Sequence, residues 1–256
     1  MKLRKSEGEK NMQKIIDFLI SYAKERDYKV ENVTVGIWWT CVLSKYCGMA
    51  SVYKIGKEIK NAGRLEEMTT SQLAEYLKSW NLMEAGVGLA AINSVIDPPA
   101  NVKKDDAFDI GVEVGKGKKI VMVGKFPRTE RFKKEAREFI VLELNPNLID
   151  PDEGVLPATA SESVIEDADV LIMTASTITN KSVDRLVELG KKAFKILVGP
   201  STPMLKDLLE YFDVLAGAKV NDPYAVIKRV SQGFEELNPT NNELLNNEIE
   251  FTVLER

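Results

Sequence analysis

The second half of the chain repeats one pattern of apolar and polar positions four times. A short apolar segment, typical of a buried strand, ends in a turn of small, polar or proline residues, and an amphipathic segment with helical spacing follows. The four apolar segments lie at 119–123, 139–144, 170–173 and 195–198. Strands that alternate with helices predict an α/β domain with a doubly wound, mainly parallel sheet. Because ligands of such sheets bind at the carboxyl ends of the strands, we expect the functional residues in the turns that follow them.

The first half of the chain predicts a smaller α+β unit. Apolar residues recur at helical spacing over 10–26, and alternation from 30 to 39 predicts a strand. Residues 40–43 either extend that strand or turn into a second one. Cap residues and apolar spacing then predict helices over 72–80 and 84–96. The expected result is a small sheet flanked by helices.

Two consecutive prolines, Pro98 and Pro99, end the last of these helices and stiffen the connection that follows. We therefore place a domain boundary near 98–105. The predicted units are an α+β domain over 1–104, an α/β domain over 105–237 and a polar, acidic tail over 238–256. Within that tail, residues 250–254 could form an edge strand instead of staying solvated.

Composition narrows the class of protein. The chain has 256 residues, of which 44% are hydrophobic and 29% charged, and its formal net charge is -4. It can bury one or two cores, and its charge gives no reason to expect a nucleic acid partner. No apolar segment approaches the ~20 residues of a membrane-spanning helix, and the N-terminal residues lead into an amphipathic helix, not a signal segment. We expect a cytoplasmic protein without a membrane partner.

The chain contains no histidine, and this absence excludes several common types of catalytic and metal site. A serine or cysteine triad with a histidine base and a histidine-bound catalytic zinc are both ruled out. The two cysteines, Cys41 and Cys47, are six residues apart and fit no zinc pattern. We interpret them as buried or half-buried thiols, with Cys41 on a strand and Cys47 in a turn next to Gly48, and a redox or metal role is the alternative. No metal ligand is assigned from the sequence.

The turns after the first two predicted strands carry charged candidates. The turn after the first strand matches the glycine-rich dinucleotide-binding fingerprint at only one of its glycines, Gly124. Pro127 also restricts this turn and removes a backbone amide donor. Lys125 and Arg128 either hold an anion at a helix N-terminus or are ordinary solvated charges. Glu143 ends the second strand about twenty residues later, where ribose-binding sheets place a hydroxyl acceptor. It is otherwise a plain surface carboxylate.

The turns after the third and fourth strands are rich in small hydrogen-bonding residues. The candidates are Thr174, Ser176, Thr177 and Asn180 in one turn and Gly199, Pro200, Ser201 and Thr202 in the other. Helix capping explains either turn alone. Two adjacent turns of this kind predict a pocket for an anionic or polar ligand.

Five segments together resemble the "putative heavy-metal chelation" family. They lie at 36–40, 88–93, 123–127, 177–180 and 198–203, and the similarity extends over about residues 10–235. The resemblance implies an enolase-N-terminal-like domain followed by a Rossmann-like domain, with the active site between them. It also implies a role in heavy-metal chelation or in anaerobic cobalamin-type cofactor synthesis. The matching positions are Gly36, Thr40, Asn93, Gly124, Pro127, Thr177, Asn180 and 199–203.

Three hypotheses follow. The leading one is a cleft between the two domains that binds an anionic organic ligand or a metal chelate, with no cofactor identified. Hydroxyls of the two polar turns would donate hydrogen bonds, Lys125 and Arg128 would supply charge, and Asn93 would reach in from the first domain. Such a pocket suits a metal complex better than a bare cation.

The second hypothesis is an enzyme of chelator or cofactor synthesis that uses a nucleotide-like cosubstrate. It needs a proton-transfer group, for which Lys125, Glu143, Cys41 and Tyr53 are the candidates. The third is a non-catalytic scaffold or subunit that forms a homo-oligomer or a complex. Its anchor would be the Trp38–Trp39 pair, since alternation exposes one tryptophan if the other is buried.

Overall fold

The computed structural model describes residues 14–53, 56–100, 102–103, 106–235 and 245–256, and side chains in the last segment from residue 247. The start of the predicted first helix, parts of the predicted boundary and residues 238–244 of the predicted tail lie outside the described residues. No helix in the described part of the chain is long and apolar enough to cross a membrane.

The first half is a three-stranded antiparallel sheet with helices. Its elements are α1 (Lys14–Lys24), β1 (Asn32–Val35), β2 (Trp39–Leu43), β3 (Cys47–Ser51), α2 (Thr70–Ala74) and α3 (Leu82–Asn93), with strand order β1-β2-β3. The predicted strand over 30–39 is in fact two strands joined by a tight turn, in which the Gly36 amide donates to the Trp39 carbonyl. Thr69 caps α2 and its backbone amide is capped in return by Gln72.

The second half is built on a seven-stranded sheet. Its elements are α4 (Ala107–Gly115), β4 (Lys119–Val123), α5 (Glu130–Glu135), β5 (Glu138–Glu143), β6 (Val155–Pro157), α6 (Ser161–Val164), β7 (Val170–Thr174), α7 (Ser176–Thr179), α8 (Val183–Leu189), β8 (Phe194–Val198), β9 (Val214–Val220), α9 (Pro223–Ser231), α10 (Leu245–Glu248) and β10 (Ile249–Glu255). The strand order is β10-β9-β8-β7-β4-β5-β6, and all neighbours are parallel except β10 and β9. Without β10 this is the strand order of the dinucleotide-binding fold. The predicted fold class is confirmed.

Three local predictions need correction. No α-helix follows β8 directly: the Thr202 amide closes a turn onto the Gly199 carbonyl, and a short 3-10 helix follows only at Lys206–Glu210. Cys47 lies in β3 and not in a turn. Residues 249–255 are not a solvated tail, because β10 pairs along β9 and buries Ile249, Val253 and Leu254. The edge strand, which was the alternative for 250–254, is what the structure contains.

Alternation along the strands divides the large sheet between two cores. On one face Met122, Ile172 and Ile196 pack with Phe108 and Phe132, which belong to α4 and α5. Residues on the other face join the same cluster as the apolar residues of α1 and α3, so both halves of the chain share this core. The division into two domains therefore stays a prediction. The two halves are in contact through this shared hydrophobic core.

Candidate functional site

Hydrogen bonds join β3 and α3 of the first half to the carboxyl ends of β7 and β8. The hydroxyls of Ser51 and Ser176 lie 2.7 Å apart, and the Ser51 amide donates to the Ser201 hydroxyl at 2.9 Å. Asn93 donates through Nδ2 to the carbonyls of Met49 and Ser201, both at 2.9 Å. The sequence predicted ligand-binding roles for Ser176, Ser201 and Asn93, and the structure uses these groups to hold the two halves together.

Tyr53 extends this contact. Its hydroxyl accepts a hydrogen bond from Asn180 Nδ2 at 2.9 Å and donates to the Ser176 carbonyl at 3.2 Å. Burial raises the pKa of Tyr53 to about 12, and the nearby charge of Glu143 acts in the same direction. Tyr53 is therefore neutral at ordinary pH. The set formed by Ser51, Tyr53, Asn93, Ser176, Asn180 and Ser201 is called the polar seam below.

The two threonines beside the polar seam bond within their own turn. Thr177 is 1% exposed, and its hydroxyl donates to the Thr174 carbonyl at 2.7 Å. The Thr174 hydroxyl lies 3.3 Å from that of Ser176. These hydroxyls have protein partners within the turn after β7, but α7 begins at an N-cap, Ala175, without a side-chain cap, so the helix-capping interpretation is wrong for this turn.

A cavity of about 160 Å³ lies beside the polar seam and is lined by both halves of the chain. Three residues predicted for the ligand site line it: Asn93, Pro200 and Thr202. Its wall is completed by Tyr46, Cys47, Gly48, Met49, Ile96, Pro98, Pro99, Val102, Met204, Ala218, Lys219, Val220, Glu250 and Thr252. We call it the cleft cavity.

Two buried polar atoms of the lining residues have no hydrogen-bond partner among the described residues. They are Thr202 Oγ1 and Asn93 Oδ1, and Thr202 as a whole is only 3% exposed. A buried polar atom without a partner costs about 1–3 kcal/mol, so such atoms are rare. Each can accept a hydrogen bond, and this separates Thr202 from the serines of the polar seam, whose hydroxyls are already paired.

The charge in the cleft cavity is mixed. Lys219 on β9 and Glu250 on β10 both line it and are direct partners across the two strands. Much of the remaining wall is made of proline, valine, isoleucine and methionine side chains. The cavity therefore combines an apolar wall with a few polar groups, which is the usual composition of a small-molecule site.

The turn after β4 does not line the cleft cavity. Arg128 pairs with Asp106 at 2.7 Å, so its charge is compensated by the start of α4. Lys125 and Pro127 are exposed. Gly124 has a positive φ of 89°, and a Cβ there would lie 2.9 Å from a Thr174 methyl carbon. The structure therefore brings Gly124 next to the polar turn after β7, while the predicted anion-binding charges lie elsewhere.

Glu143 orders the ends of two strands. Its carboxylate accepts from the backbone amides of Lys125, Leu144 and Asn145, each at 2.8 Å. These bonds join the turn after β4 to the end of β5. The predicted role as a hydroxyl acceptor has no support from the cavity lining, where Glu143 is absent.

Gly36, Thr40 and Gly199, which are also family-matched positions, do not line the cleft cavity. A Cβ on Gly36 would lie 2.4 Å from the Val230 carbonyl, so this turn contacts α9 closely. Thr40 is 1% exposed, and its hydroxyl has no partner in the described part of the chain. Gly199 has a positive φ of 124°, its amide donates to the Ala216 carbonyl, and the next residue, Pro200, lines the cavity.

Sequence reasoning missed Ser51 and Lys181. Burial lowers the pKa of Lys181 to about 8, its ammonium donates to the Thr179 carbonyl at 2.9 Å, and it lies 5.1 Å from the centre of the Trp80 ring. No local motif distinguishes either residue. Their positions follow from contacts between segments that are far apart in sequence.

In the part of the chain that the structure describes, no cluster of side chains fits a metal ion that needs three or more hard or borderline ligands. The described residues contain no group of three or more cysteine, aspartate or glutamate side chains able to hold an ion. Cys41 and Cys47 are both free and buried. A hydrogen bond with Cys47, together with burial, raises the pKa of the Cys41 thiol.

Comparison with known proteins agrees with the fold and the family resemblance. The chain is 26% identical over 213 residues to an uncharacterized protein of Methanocaldococcus jannaschii, which covers 78% of this chain and 82% of that one. A solved DUF364-family structure of unknown function from Desulfitobacterium hafniense superposes with a TM-score of 0.83 at 25% identity, over 97% of this chain and all of the other.

A second DUF364-family structure of unknown function, from Pyrococcus horikoshii, superposes with a TM-score of 0.77 at 23% identity over 96% of this chain and 99% of that one, and shows the fold alone. Two family models described as putative heavy-metal chelation match residues 16–96 and 106–241. Since the match over 106–241 alone spans more than half of the 256 residues, the chain belongs to the "putative heavy-metal chelation" family.

Proposed function

We propose that this protein binds a small polar organic ligand, or a complex of such a ligand with a metal ion, in the cleft cavity. The observation that carries the proposal is the pair of buried acceptors, Thr202 Oγ1 and Asn93 Oδ1, on two cavity-lining residues from the two halves. Neighbouring hydroxyls of the polar seam are paired within the protein. Membership of a heavy-metal chelation family supports metal or ligand binding in general.

The size of the cavity restricts the ligand. Its volume of about 160 Å³ is close to the ~150 Å³ of a cavity that holds a benzene ring. The enclosed part of the ligand is therefore one ring or a short chain, and most of a tetrapyrrole would lie outside. Lys219 can meet an anionic group, while Glu250 beside it disfavours a high negative charge.

Ligand-induced thermal stabilisation tests the proposal. The full chain would be unfolded against nucleotides, S-adenosylmethionine, nicotinamide cofactors, tetrapyrroles, small organic chelators and divalent metals. A ligand at 100 times its dissociation constant adds ~2.7 kcal/mol to the free energy of unfolding. We expect a small organic compound, alone or with a metal, to stabilise the protein.

A matched pair of variants locates the binding. Thr202→Val should abolish the ligand-induced shift, because it removes the unpaired hydroxyl of a residue that lines the cavity. Thr179→Val is the control, since Thr179 is 0% exposed and its hydroxyl also has no partner among the described residues, yet it is not in the lining. Equal ligand shifts in the two variants would contradict the proposal.

The catalytic alternative finds little support. The pKa of Tyr53 and of Cys41 is moved upward, away from the neutral range in which a general base works best. Lys125 is exposed, and Glu143 is bound by three backbone amides. The scaffold alternative loses its tryptophan anchor in part, because Trp39 Nε1 donates to the Glu235 carbonyl at 3.0 Å. A homo-oligomer stays an open alternative that sedimentation analysis would test.

A further inference from the structure

Three sulfur-containing side chains share one face of the small sheet. The register of β2 and β3 pairs Cys41 with Met49 and Leu43 with Cys47. Directly paired residues, and residues two apart on a strand, point to the same side of a sheet. Cys41, Cys47 and Met49 therefore face the same way, and they belong to one buried cluster with apolar residues of α9 and β10.

The two thiols are adjacent, and the pair is reached from the cleft cavity. Cys41 is 0% exposed and Cys47 is 7% exposed, and they are diagonal neighbours across β2 and β3, because the direct partner of Cys41 is Met49, two residues from Cys47. Cys47 and Met49 line the cavity, as does a further thioether, Met204. An ion in the cavity would thus meet Cys47 first, with Cys41 directly behind it.

We propose that Cys41 and Cys47 form a two-thiolate site for one thiophilic d10 metal ion, of which divalent mercury is the representative example. The thioether of Met49 lies beside this site. The site rests on the proposed function only for its route of access, the cleft cavity. Thiolate and thioether sulfur select soft ions. Zinc would need four ligands, and the described residues around the pair supply two thiols and no carboxylate cluster.

Charge balance favours a divalent ion. Each thiol releases one proton as its sulfur binds the metal, so one divalent ion and two thiolates form a neutral unit and free two protons. A neutral unit suits a wall made with Val226, Val230 and Ile249. A monovalent ion such as silver would leave one net negative charge there, which is costly in apolar surroundings.

Titration of the reduced full chain with divalent mercury alone, without oxygen, tests the stoichiometry. We expect one ion per chain, a thiolate-to-metal absorption band and two protons released per ion. X-ray absorption of the bound mercury should show two sulfur neighbours at bonding distance. A single sulfur neighbour, or one ion per thiol, would overturn the site.

Variants test whether the thiols act as a pair. In competition with an excess of a small monothiol, Cys41→Ala and Cys47→Ala should each weaken mercury binding at least ~100-fold, because two linked donors bind far better than either alone. The double variant should bind mercury still more weakly, because it has no thiolate left. Met49→Leu should have a smaller effect. Single-cysteine variants that retain wild-type affinity would refute the pairing, and the X-ray absorption result covers the case in which a variant fails to fold.

Further measurements distinguish this thiol site from the proposed site for an organic ligand. Silver should bind more weakly than mercury, and zinc should not compete with it. Thr202→Val should leave mercury affinity unchanged. Mercury binding without any organic ligand shift would support the thiol site and count against the proposed function, and the reverse result would count against the thiol site.

Discussion

Two contacts join the same two halves of this protein, and they are built in opposite ways. The polar seam is made of hydroxyl and amide groups. The hydroxyls of Ser51 and Ser176 bond to each other, and the Ser201 hydroxyl accepts a hydrogen bond from the Ser51 backbone amide. The contact between the small sheet and α9 is apolar and close, with Gly36 against Val230 and Cys41 in the same cluster. Residues that line the cleft cavity belong to both contacts. The serine hydroxyls of the polar turns thus hold the two halves together, while Thr202 Oγ1 and Asn93 Oδ1 beside them have no partner among the described residues.

The largest expected effect breaks the apolar contact. Gly36→Ala would place a Cβ 2.4 Å from the Val230 carbonyl, and a backbone atom cannot move aside cheaply. We expect the free energy of unfolding to fall by about 3 kcal/mol, measured by denaturant titration. Gly86→Ala is the control, because its Cβ comes no closer than 3.3 Å to the Ser51 carbonyl and alanine favours the helix. Similar losses in both variants would contradict the close contact.

The polar seam should respond less. Ser201→Ala leaves the Ser51 amide without its acceptor and should cost about 1–2 kcal/mol. Ser51→Ala and Ser176→Ala remove the two ends of one hydrogen bond. In a double-mutant cycle they should therefore couple by about 1 kcal/mol, and a coupling energy near zero would show that their bond adds nothing.

Asp184 gives the junction of α1 and α8 a pH dependence. Its carboxylate accepts from the Ile15 amide at 3.1 Å, and burial raises its pKa from 3.8 to about 6. The folded state therefore binds the proton more tightly than the unfolded chain, so this contribution to stability is fully present below pH 3.8 and is lost as the pH rises through about 6.

Asp184→Asn should raise the free energy of unfolding above pH 6 by up to about 1 kcal/mol, allowing for solvent screening, and flatten its pH dependence between pH 4 and 6. Asp97→Asn is the opposite control. Hydrogen bonds from Lys45 and Tyr46 lower the pKa of Asp97, so its stabilising contribution is present above pH 3.8 and is lost on acidification. Urea titrations across this pH range measure both variants, and equal signs would contradict the assignment.

Removal of the Thr202 hydroxyl should change stability least. Thr202→Val should leave the stability of the ligand-free protein unchanged or slightly higher, because Thr202 Oγ1 gives up no hydrogen bond within the described residues. Ser201→Ala, one residue earlier, should be clearly destabilising. If differential scanning calorimetry shows the reverse order, Ser201 and not Thr202 is the residue with free hydrogen-bonding capacity.

Much of the α/β architecture could be predicted from the sequence, because buried parallel strands are nearly continuous apolar runs. The predicted segment 119–123 coincides with β4, and β5, β7 and β8 differ by one residue at their ends. Strand β9 was not predicted, because the small residues Ala216, Gly217 and Ala218 weaken its apolar pattern. Acidic residues interrupt the apolar pattern of β10.

The candidate site was less predictable. The hydroxyl-rich turns after β7 and β8 do lie together, as the topology of the sheet requires. Their partners, however, come from β3, 125 to 150 residues earlier in the chain. A single sequence gives no signal for such pairs, so the distinction between a hydroxyl that positions and one that is free to bind required the structure.

Strand β10 gives the cleft cavity a place in the order of protein synthesis. Glu250 and Thr252 of this strand line the cavity together with Tyr46 and Asn93. A nascent chain folds from its N-terminal side as it emerges, at about 5–20 residues per second. The wall of the cavity therefore stays incomplete until residues 250–252 have left the ribosome. The wall of the cavity is thus complete only in a chain whose large sheet includes β10.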